Sequence, residues 1–191
     1  MQVKNEKGNI ILIQLENEYG SYGSDKEYLQ INKDIFNQAG FDGILITCDP
    51  PLAIANGHLD GVLPAINGVD DPEQVYSLIK SNNKDKGPFL IAEWYPAWFD
   101  IWGNKHQTRD AEEYAQRHDR VLKNGTSINM YMFHGGTTAN FRNGANYGLA
   151  NPTYEPQITS YDYDAPLDEA GNPTVKYFAF RDVISKYLPI G

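Results

Sequence analysis

The sequence predicts an α/β fold in which helices alternate with the strands of a parallel sheet. Residues 10–15 and 89–92 are short runs of almost entirely apolar side chains. Runs this short and this apolar are typical of strands buried on both faces of a parallel sheet. A glutamate closely follows each run, Glu18 after the first and Glu93 after the second. The carboxyl ends of such strands are where α/β barrels place their catalytic groups, so both glutamates are candidate catalytic residues.

Helix and strand signals alternate along the first part of the chain. Ser24 and Glu27 form a capping-box pattern, which predicts a helix through about Gln38. Gly40 is the expected stop of this helix, because glycine adopts the left-handed conformation that often ends helices. Residues 43–48 then predict the next strand.

The same alternation continues to the end of the chain. A strand near residues 62–67 is the weakest prediction, because Pro64 interrupts it. Asp71, followed by proline, predicts the start of a helix, and residues 89–94 predict another strand. The remaining predicted elements are a helix over about 109–124 that ends at Gly125, a strand over 127–133 and a last helix over about 173–187.

The spacing of the two glutamates favours a barrel. They are 75 residues apart (93 − 18), and a barrel of about 250 residues averages roughly 31 residues for each of its eight units. The interval therefore fits about three compact strand–helix units, which would bring Glu18 and Glu93 to nearly opposite sides of the barrel mouth. On position alone, each could instead be a strand-end residue paired with a lysine or arginine, since buried acids are costly unless paired.

Composition indicates one globular domain and excludes some function classes. A chain of 191 residues with 41% hydrophobic residues can bury a substantial core. The net charge of −9 argues against nucleic-acid binding, which requires a basic face. No apolar run approaches the roughly 18 residues needed to span a membrane, and no signal peptide opens this chain. The single cysteine, Cys48, cannot form an intrachain disulfide, so the compartment stays undetermined.

Four motifs in a fixed order identify a resemblance to a known family. They are ILIQLENEYGSYG, FLIAEWYPAWFDIWG, SINMYMFHGGT and TSYDYDAPLDEAG. The chain resembles the β-galactosidases of glycoside hydrolase family 35 in all four, from about residue 8 to residue 187. The resemblance implies a (β/α)8 TIM barrel whose acid/base follows strand 4 and whose nucleophile follows strand 7. Residues 1–191 would then be the C-terminal part of the catalytic barrel, a partial barrel lacking the first three strand–helix units.

The resemblance also implies a function and catalytic roles. The expected activity is that of a retaining exo-β-galactosidase, which removes terminal non-reducing β-D-galactose by double displacement between two carboxylates. Glu93 matches the family's nucleophile, and Glu18 matches its acid/base. Glu16 is a rival to Glu18 on spacing alone, but the family's Asn-Glu pair matches Asn17 and Glu18. We expect Glu16 to be an ion-pair partner in the barrel or a loop.

Five further residues are candidate sugar-binding groups. By resemblance, Asn17 reaches the sugar 2-hydroxyl, and Tyr131 (on the last strand) and Tyr163 lie beside the nucleophile and the sugar. Tyrosine suits this role, because its ring packs while its hydroxyl donates. Tyr95 and Trp98, just past the nucleophile, could stack on a sugar face or serve only in packing.

We expect no cofactor and no metal site. The four histidines lack metal-ligand spacing, and Asp162, Asp164 and Asp168 lack the glycine and terminal glutamate of a calcium loop. The chain departs from the family after the last strand. There the family's Gly-Gly-Thr-Asn-Phe reads Gly-Gly-Thr-Thr-Ala-Asn-Phe, so that the aromatic residue comes later, at Phe141.

Three interpretations of function remain open at this point. The chain could be an active β-galactosidase, a catalytically weak fragment of one, or a relative that acts on another β-linked sugar such as glucosamine. In the family, the first three strands bring most of the groups that recognise galactose. Five strands would leave two unpaired edges, so we expect complementation by the missing strands or self-association. Family members are often secreted, periplasmic or lysosomal, which does not fix the location of this chain.

Overall fold

The computed structural model describes residues 9–41, 43–84, 86–140, 142–147 and 153–189. It divides into two compact units. The first comprises Met1–Trp94 and Asn124–Asn129, and the second comprises Tyr95–Lys123 and Met130–Gly191.

A five-stranded sheet dominates the first unit. Its strands lie side by side in chain order, and the pairs among the first four are parallel. Because a helix separates each strand from the next, the arrangement is the repeating pattern of α/β barrels. The strands are β1 Leu12–Gln14, β2 Ile44–Asp49, β3 Leu63–Asn67, β4 Leu90–Trp94 and β5 Ser127–Met130.

The two faces of the sheet have different surroundings. One face lines a cavity of about 520 Å³ with alternate residues of neighbouring strands, among them Leu12, Ile46 and Leu63. The intervening residues point the other way. Leu45, for example, lies in a buried apolar cluster with Leu29 of the preceding helix. The sheet is therefore apolar on both faces, which explains the continuous apolar runs of the sequence.

Side-chain caps mark the starts of two α-helices in the described part of the first unit. The α-helices there are α1 Lys26–Gln38, the single turn α2 Ile54–Gly57, and α3 Pro72–Asn82. Asp71 caps α3 by accepting a hydrogen bond from the Gln74 N–H at 3.0 Å, which confirms the predicted start. Gly40 follows α1 with φ of 87°, the left-handed conformation expected of its stop.

The predicted capping box at Ser24 is wrong by one residue. Asp25 is the N-cap of α1, and its carboxylate accepts the N–H groups of Glu27 and Tyr28 at 2.9 and 3.1 Å. Both serine and aspartate are good N-caps, so the local sequence could not choose between two adjacent candidates. The aspartate satisfies two of the helix's unpaired N–H groups at once.

Pro64 lies inside a true strand. Its partner in β2 is Thr47, and the β3–β4 pairs are at Ile66 and Asn67, beyond the proline. A strand tolerates proline where no ladder hydrogen bond requires its N–H. The predicted strand near residues 62–67 is therefore confirmed.

The second unit combines two helices with two short antiparallel ribbons. Helix α4, Ala111–Lys123, packs against α5, Val175–Ile184, with buried His118 edge-on to Phe180. Both helices are slightly shorter than predicted. The ribbons, which the sequence did not predict, pair β6 Gly136–Thr137 with β9 Ser160–Tyr161 and β7 Ala145–Tyr147 with β8 Tyr154–Pro156.

Two predicted strands are shorter in the structure. The first spans only Leu12–Gln14, and the last ends at Met130, so Tyr131 lies in the turn beyond it. Strand period alone could not locate these ends, because apolar residues continue past both of them. Within the described part of the chain, no helix is both long enough and apolar enough to cross a membrane.

A buried carboxyl group supports the turn that follows β1. Asp49, at the end of β2, is 1% exposed and accepts the Gly20 N–H at 2.8 Å. Burial raises its pKa, the Gly20 hydrogen bond lowers it, and the nearby Glu18 charge raises it. A Cβ added to Gly57 would lie 2.1 Å from both carboxyl oxygens, so α2 can approach Asp49 only with glycine at this position.

The cap of α1 gives a first prediction. Asp25→Ala should lower the free energy of unfolding by about 1 kcal/mol, because it removes both capping hydrogen bonds. Ser24→Ala is the matched control, and its effect should stay within about 0.5 kcal/mol. Urea denaturation of the three proteins measures both values. A larger loss in Ser24→Ala than in Asp25→Ala would contradict the assignment of the cap.

Asp49 gives a second prediction, on pH dependence. Its raised pKa means that the folded chain holds this proton more tightly than the unfolded chain, whose value is near 3.8. Its stabilising contribution is therefore complete below pH 3.8 and is lost as the pH rises through the folded value. An asparagine side chain at this position would resemble the protonated acid at every pH. The stability of Asp49→Asn relative to wild type should therefore increase between pH 3.8 and neutrality.

Asp60→Asn is the control for this experiment, because it makes the same charge change at a side chain that is 80% exposed. Urea denaturation across the pH range gives the difference between each variant and wild type. A difference for Asp49→Asn that does not change with pH, or one that matches Asp60→Asn, would show that Asp49 is not held as described.

Candidate active site

The chain after β1 forms a tight turn that carries Glu18. Glu16 and Glu18 both have left-handed backbones, with φ of 57° and 54°. This conformation is uncommon for residues other than glycine and costs of order 1–3 kcal/mol. The Gln14 side chain, which points to the cavity side of the sheet, donates to the Glu16 carbonyl at 2.8 Å and to Asn17 Oδ1 at 2.9 Å. The turn is thus held from within the sheet.

Main-chain hydrogen bonds fix Glu18 itself. Its N–H donates to the Cys48 carbonyl of β2 at 2.9 Å, and its carbonyl accepts the Ser21 N–H at 2.9 Å. Its half-buried side chain accepts a hydrogen bond from Nδ2 of Asn67, at the end of β3. Glu18 is therefore attached to two neighbouring strands at the carboxyl edge of the sheet.

A register shift places Glu93 opposite Asn67. Ile66 of β3 pairs with Ile91 of β4, but the next residue, Asn67, pairs with Glu93, so β4 has one extra residue, Ala92. Side chains alternate between the faces of a sheet, and a slip of one residue reverses which face each side chain occupies. The shift therefore brings Glu93 onto the face that Asn67 occupies.

The buried thiol of Cys48 lies within electrostatic range of both glutamates. Burial raises its pKa most, and the negative charges of Glu93, Asp49 and Glu18 raise it further. Cys48 lies in an apolar cluster with Ala65 and Ala92, a cluster that also contains Ile46 of the cavity lining. Glu18, in the turn beyond β1, and Glu93, in β4, both raise the pKa of this thiol.

The two residues before Glu18 have separate roles. The Glu16 carboxylate accepts a hydrogen bond from the Tyr28 hydroxyl of α1, so it is a loop partner, although the bond is to a tyrosine rather than to a cation. Asn17 is exposed, and its Oδ1 is engaged by Gln14. This leaves the Asn17 amide oriented with its Nδ2 donor away from Gln14.

The four predicted aromatic residues form one cluster in the second unit. Tyr131 meets Tyr163 edge-to-face with ring centroids 5.7 Å apart, and Tyr95 lies edge-on to Trp98 at 5.2 Å. Trp98 in turn lies 5.9 Å from Tyr163, so the rings are continuous. Tyr161, which was not selected from the sequence, packs against Tyr163 at 5.4 Å. The peptide bond that follows Tyr131 is cis.

A buried lysine organises the segment that carries Tyr163. Lys176 is 2% exposed and donates to the Pro96 carbonyl and the Asp164 carbonyl, both at 3.0 Å, and to the Asp164 carboxylate. Burial lowers its pKa, which the Asp164 hydrogen bond partly offsets. Tyr163 and Asp164 both have left-handed backbones, with φ of 63° and 46°. The lysine therefore holds a strained turn in place next to the aromatic cluster.

A histidine bridges two acidic residues in the same unit. His106 Nδ1 lies 2.6 Å from an Asp100 carboxylate oxygen, and its Nε2 lies 3.7 Å from one of Asp162. The Asp100 hydrogen bond raises the pKa of His106 most, and burial lowers it. Over the described residues, no group of three or more histidine, cysteine or acidic side chains has the geometry of a metal site. Phe141, the aromatic of the departing loop, lies outside the described residues.

The polar residues that hold the candidate site residues and their turns in place were not predicted from the sequence. Gln14 was a polar interruption in an apolar run, which was the one signal that could have identified it. Asn67 had none, because it ends the strand that was hardest to predict. Lys176 was a single lysine in a helix, and its burial depends on contacts with residues far away in sequence.

Comparison with known proteins identifies the family of this chain. The family profile of glycosyl hydrolases family 35 matches residues 1–187. A β-galactosidase of Xanthomonas manihotis is 42% identical over 183 residues, which is 94% of this chain and 30% of that protein. The β-galactosidase-1-like protein of Mus musculus is 43% identical, over 96% of this chain and 29% of its own length.

A third relative, a β-galactosidase of Felis catus, is 41% identical over 94% of this chain and 27% of its own length. The chain spans about three tenths of the length of the relatives that it matches. The profile match covers nearly the whole sequence and contains the motifs that carry Glu18 and Glu93. The chain belongs to family 35 of the glycosyl hydrolases.

Proposed function

We propose that this chain carries the catalytic carboxylates of a retaining exo-β-galactosidase. The observation that supports this most is the placement of Glu18 and Glu93 at the carboxyl edge of one parallel sheet, joined through Asn67. Two carboxylates around one sugar are what glycoside hydrolysis requires. The substrate class rests on the relatives, two of which are named β-galactosidases.

The proposed reaction has two displacements. In the first, a Glu93 oxygen bonds to the anomeric carbon while the glycosidic carbon–oxygen bond breaks, and Glu18 gives its proton to the departing oxygen. In the second, water attacks the anomeric carbon, Glu18 accepts a proton from that water, and the bond to Glu93 breaks. Galactose leaves with the configuration of the substrate, and both carboxyl groups return to their starting states.

Glu18 is a better candidate for the acid than Glu16. The Glu16 carboxylate already accepts a hydrogen bond from the Tyr28 hydroxyl. The Glu18 carboxyl group instead accepts one from Asn67, which is the strand partner of Glu93. Asn17 is proposed to meet the sugar 2-hydroxyl through its Nδ2, since Gln14 already holds its oxygen. A hydrogen bond to that hydroxyl strengthens as the oxocarbenium-like transition state forms.

The aromatic cluster of the second unit is the proposed source of sugar-stacking surface. Its four candidate members are Tyr95, Trp98, Tyr131 and Tyr163, and apolar ring faces suit the apolar face of a pyranose. Tyr163 is 2% exposed, so its contribution would be to position the rings around it. Half-buried Tyr95, Trp98 and Tyr131 are the rings that a sugar could reach.

We also propose that the working enzyme needs additional structure on the cavity-lining face of the sheet, which we call the open face. Apolar side chains line the cavity of about 520 Å³ on that face, where Ile44 is 54% exposed. Two apolar side chains on one side of α1 are also exposed, Ile31 at 51% and Ile35 at 56%. In a closed barrel such positions are packed by further strands and helices. We propose that the other strand–helix units of an eight-unit barrel pack against the open face. In the chain alone, a second copy packs there instead.

Replacing each glutamate tests the proposed function. Hydrolysis of an aryl β-galactoside should fall about 1,000-fold or more in Glu93→Gln, because the nucleophile is lost, and about 100-fold or more in Glu18→Gln. Glu16→Gln is the matched control from the same turn and should change the rate by less than about threefold, since glutamine can still accept from Tyr28. Equal losses in Glu16→Gln and Glu18→Gln would contradict the assignment.

Sedimentation velocity tests whether the chain associates through the open face of its sheet. The chain alone should associate in a concentration-dependent way, and Ile44→Lys should shift it towards the monomer, because a charge on the cavity face resists burial. Leu52→Lys is the control, since this leucine is fully exposed and does not line the cavity. A cooperatively unfolding monomer at all concentrations would contradict the proposal.

A further inference from the structure

Asn67 lies at the centre of the carboxyl edge of the sheet. It ends β3, and because strand side chains alternate, it shares a face with Leu63, which lines the cavity, and with Ala65. The residue is 1% exposed. A polar side chain buried this completely needs a partner, and the partner here is the Glu18 carboxylate.

The orientation of the Asn67 amide is set by Glu18. Its Nδ2 donates to Glu18 Oε1, whereas its Oδ1 accepts no hydrogen bond from the described residues. A buried acceptor without a donor costs about 1–3 kcal/mol, so the amide does not serve the packing of β3. Its arrangement is instead explained by the Glu18 carboxyl group, which can accept this hydrogen bond both as the protonated acid and as the carboxylate.

The same residue is paired with Glu93 in the sheet. It is the β3 partner of Glu93 after the one-residue shift at Ala92. Asn67 thus contacts one glutamate through its side chain and aligns with the other through the backbone. An amide can do this beside two carboxylates because it donates a hydrogen bond without adding a charge. The negative potential that both glutamates impose on Cys48 is consistent with this crowding.

We infer that Asn67 is a positioning residue, which holds the Glu18 carboxyl group on the face of the sheet that Glu93 occupies. This inference rests on the proposed function, because the position matters only if Glu18 delivers a proton to a leaving group. Asn67 itself does not touch the reacting atoms. Its effect should therefore appear only in steps that use Glu18.

Kinetics with leaving groups of different acidity separate this role from a general structural one. The value of kcat/KM reports the steps up to glycosylation of the enzyme, in which a good leaving group needs no proton and a poor one does. In Asn67→Ala and in Asn67→Leu, which keeps the side-chain volume, kcat/KM for methyl β-galactoside should fall about 10-fold or more, because its leaving group, methanol, is poor. For 2,4-dinitrophenyl β-galactoside it should stay within about threefold of wild type.

Thr47→Val is the matched control for this series. Thr47 is equally buried on the neighbouring strand, and its hydroxyl has no hydrogen-bond partner among the described residues. Its substitution should leave kcat/KM unchanged for both substrates. A loss in the Asn67 variants that is the same for all leaving groups would overturn the inference, since that pattern indicates damage to Glu93 or to the fold.

Crystal structures of wild type, Asn67→Leu and Thr47→Val test the inference even if the wild-type chain is inactive. The Glu18 carboxyl group should occupy one position in wild type and Thr47→Val, and should move or become disordered in Asn67→Leu. An unchanged Glu18 side chain in Asn67→Leu would overturn the inference. Inactive wild-type protein with a displaced Glu18 in Asn67→Leu would instead count against the proposed function of the chain and support the positioning role.

Discussion

The register shift between β3 and β4 is the constraint on which the candidate site depends. With one extra residue in β4, Glu93 aligns with Asn67 rather than with the residue after it. Without that shift, alternation would turn the Glu93 side chain towards the opposite face. Trp94, which is 2% exposed, shows how closely packed the strand end is. A bulge at a strand end is a common way to redirect one side chain while the rest of the strand keeps its packing.

Glu18 reaches the same edge by a different route. It is held by a strained turn rather than by a strand, and main-chain bonds to β2 together with the buried Asp49 carboxyl group stabilise that turn. The close approach of Gly20 and Gly57 makes room for Asp49, since a Cβ on either glycine would collide with neighbouring atoms. The cost of the left-handed backbone is offset by these contacts, which is typical of functional residues in over-determined surroundings.

Local sequence signals predicted the elements well and their connections poorly. The cap at Asp71 and the strand containing Pro64 both followed from short-range chemistry. The shift at Ala92 did not, because it is a property of the pairing between two strands. Asn67 was missed for the same reason, since a residue that serves a distant carboxylate leaves no local pattern. The short ribbons of the second unit have too few residues for any period to be visible.

The proposed mechanism requires the carboxyl groups of Glu18 and Glu93 to share one face at a separation suited to double displacement. A crystal structure of this chain measures that separation directly. We expect about 5–5.5 Å between the two carboxyl groups, with Asn67 beside Glu18. A separation beyond about 6.5 Å, or a Glu93 side chain on the helix-packed face of the sheet, would contradict the mechanism.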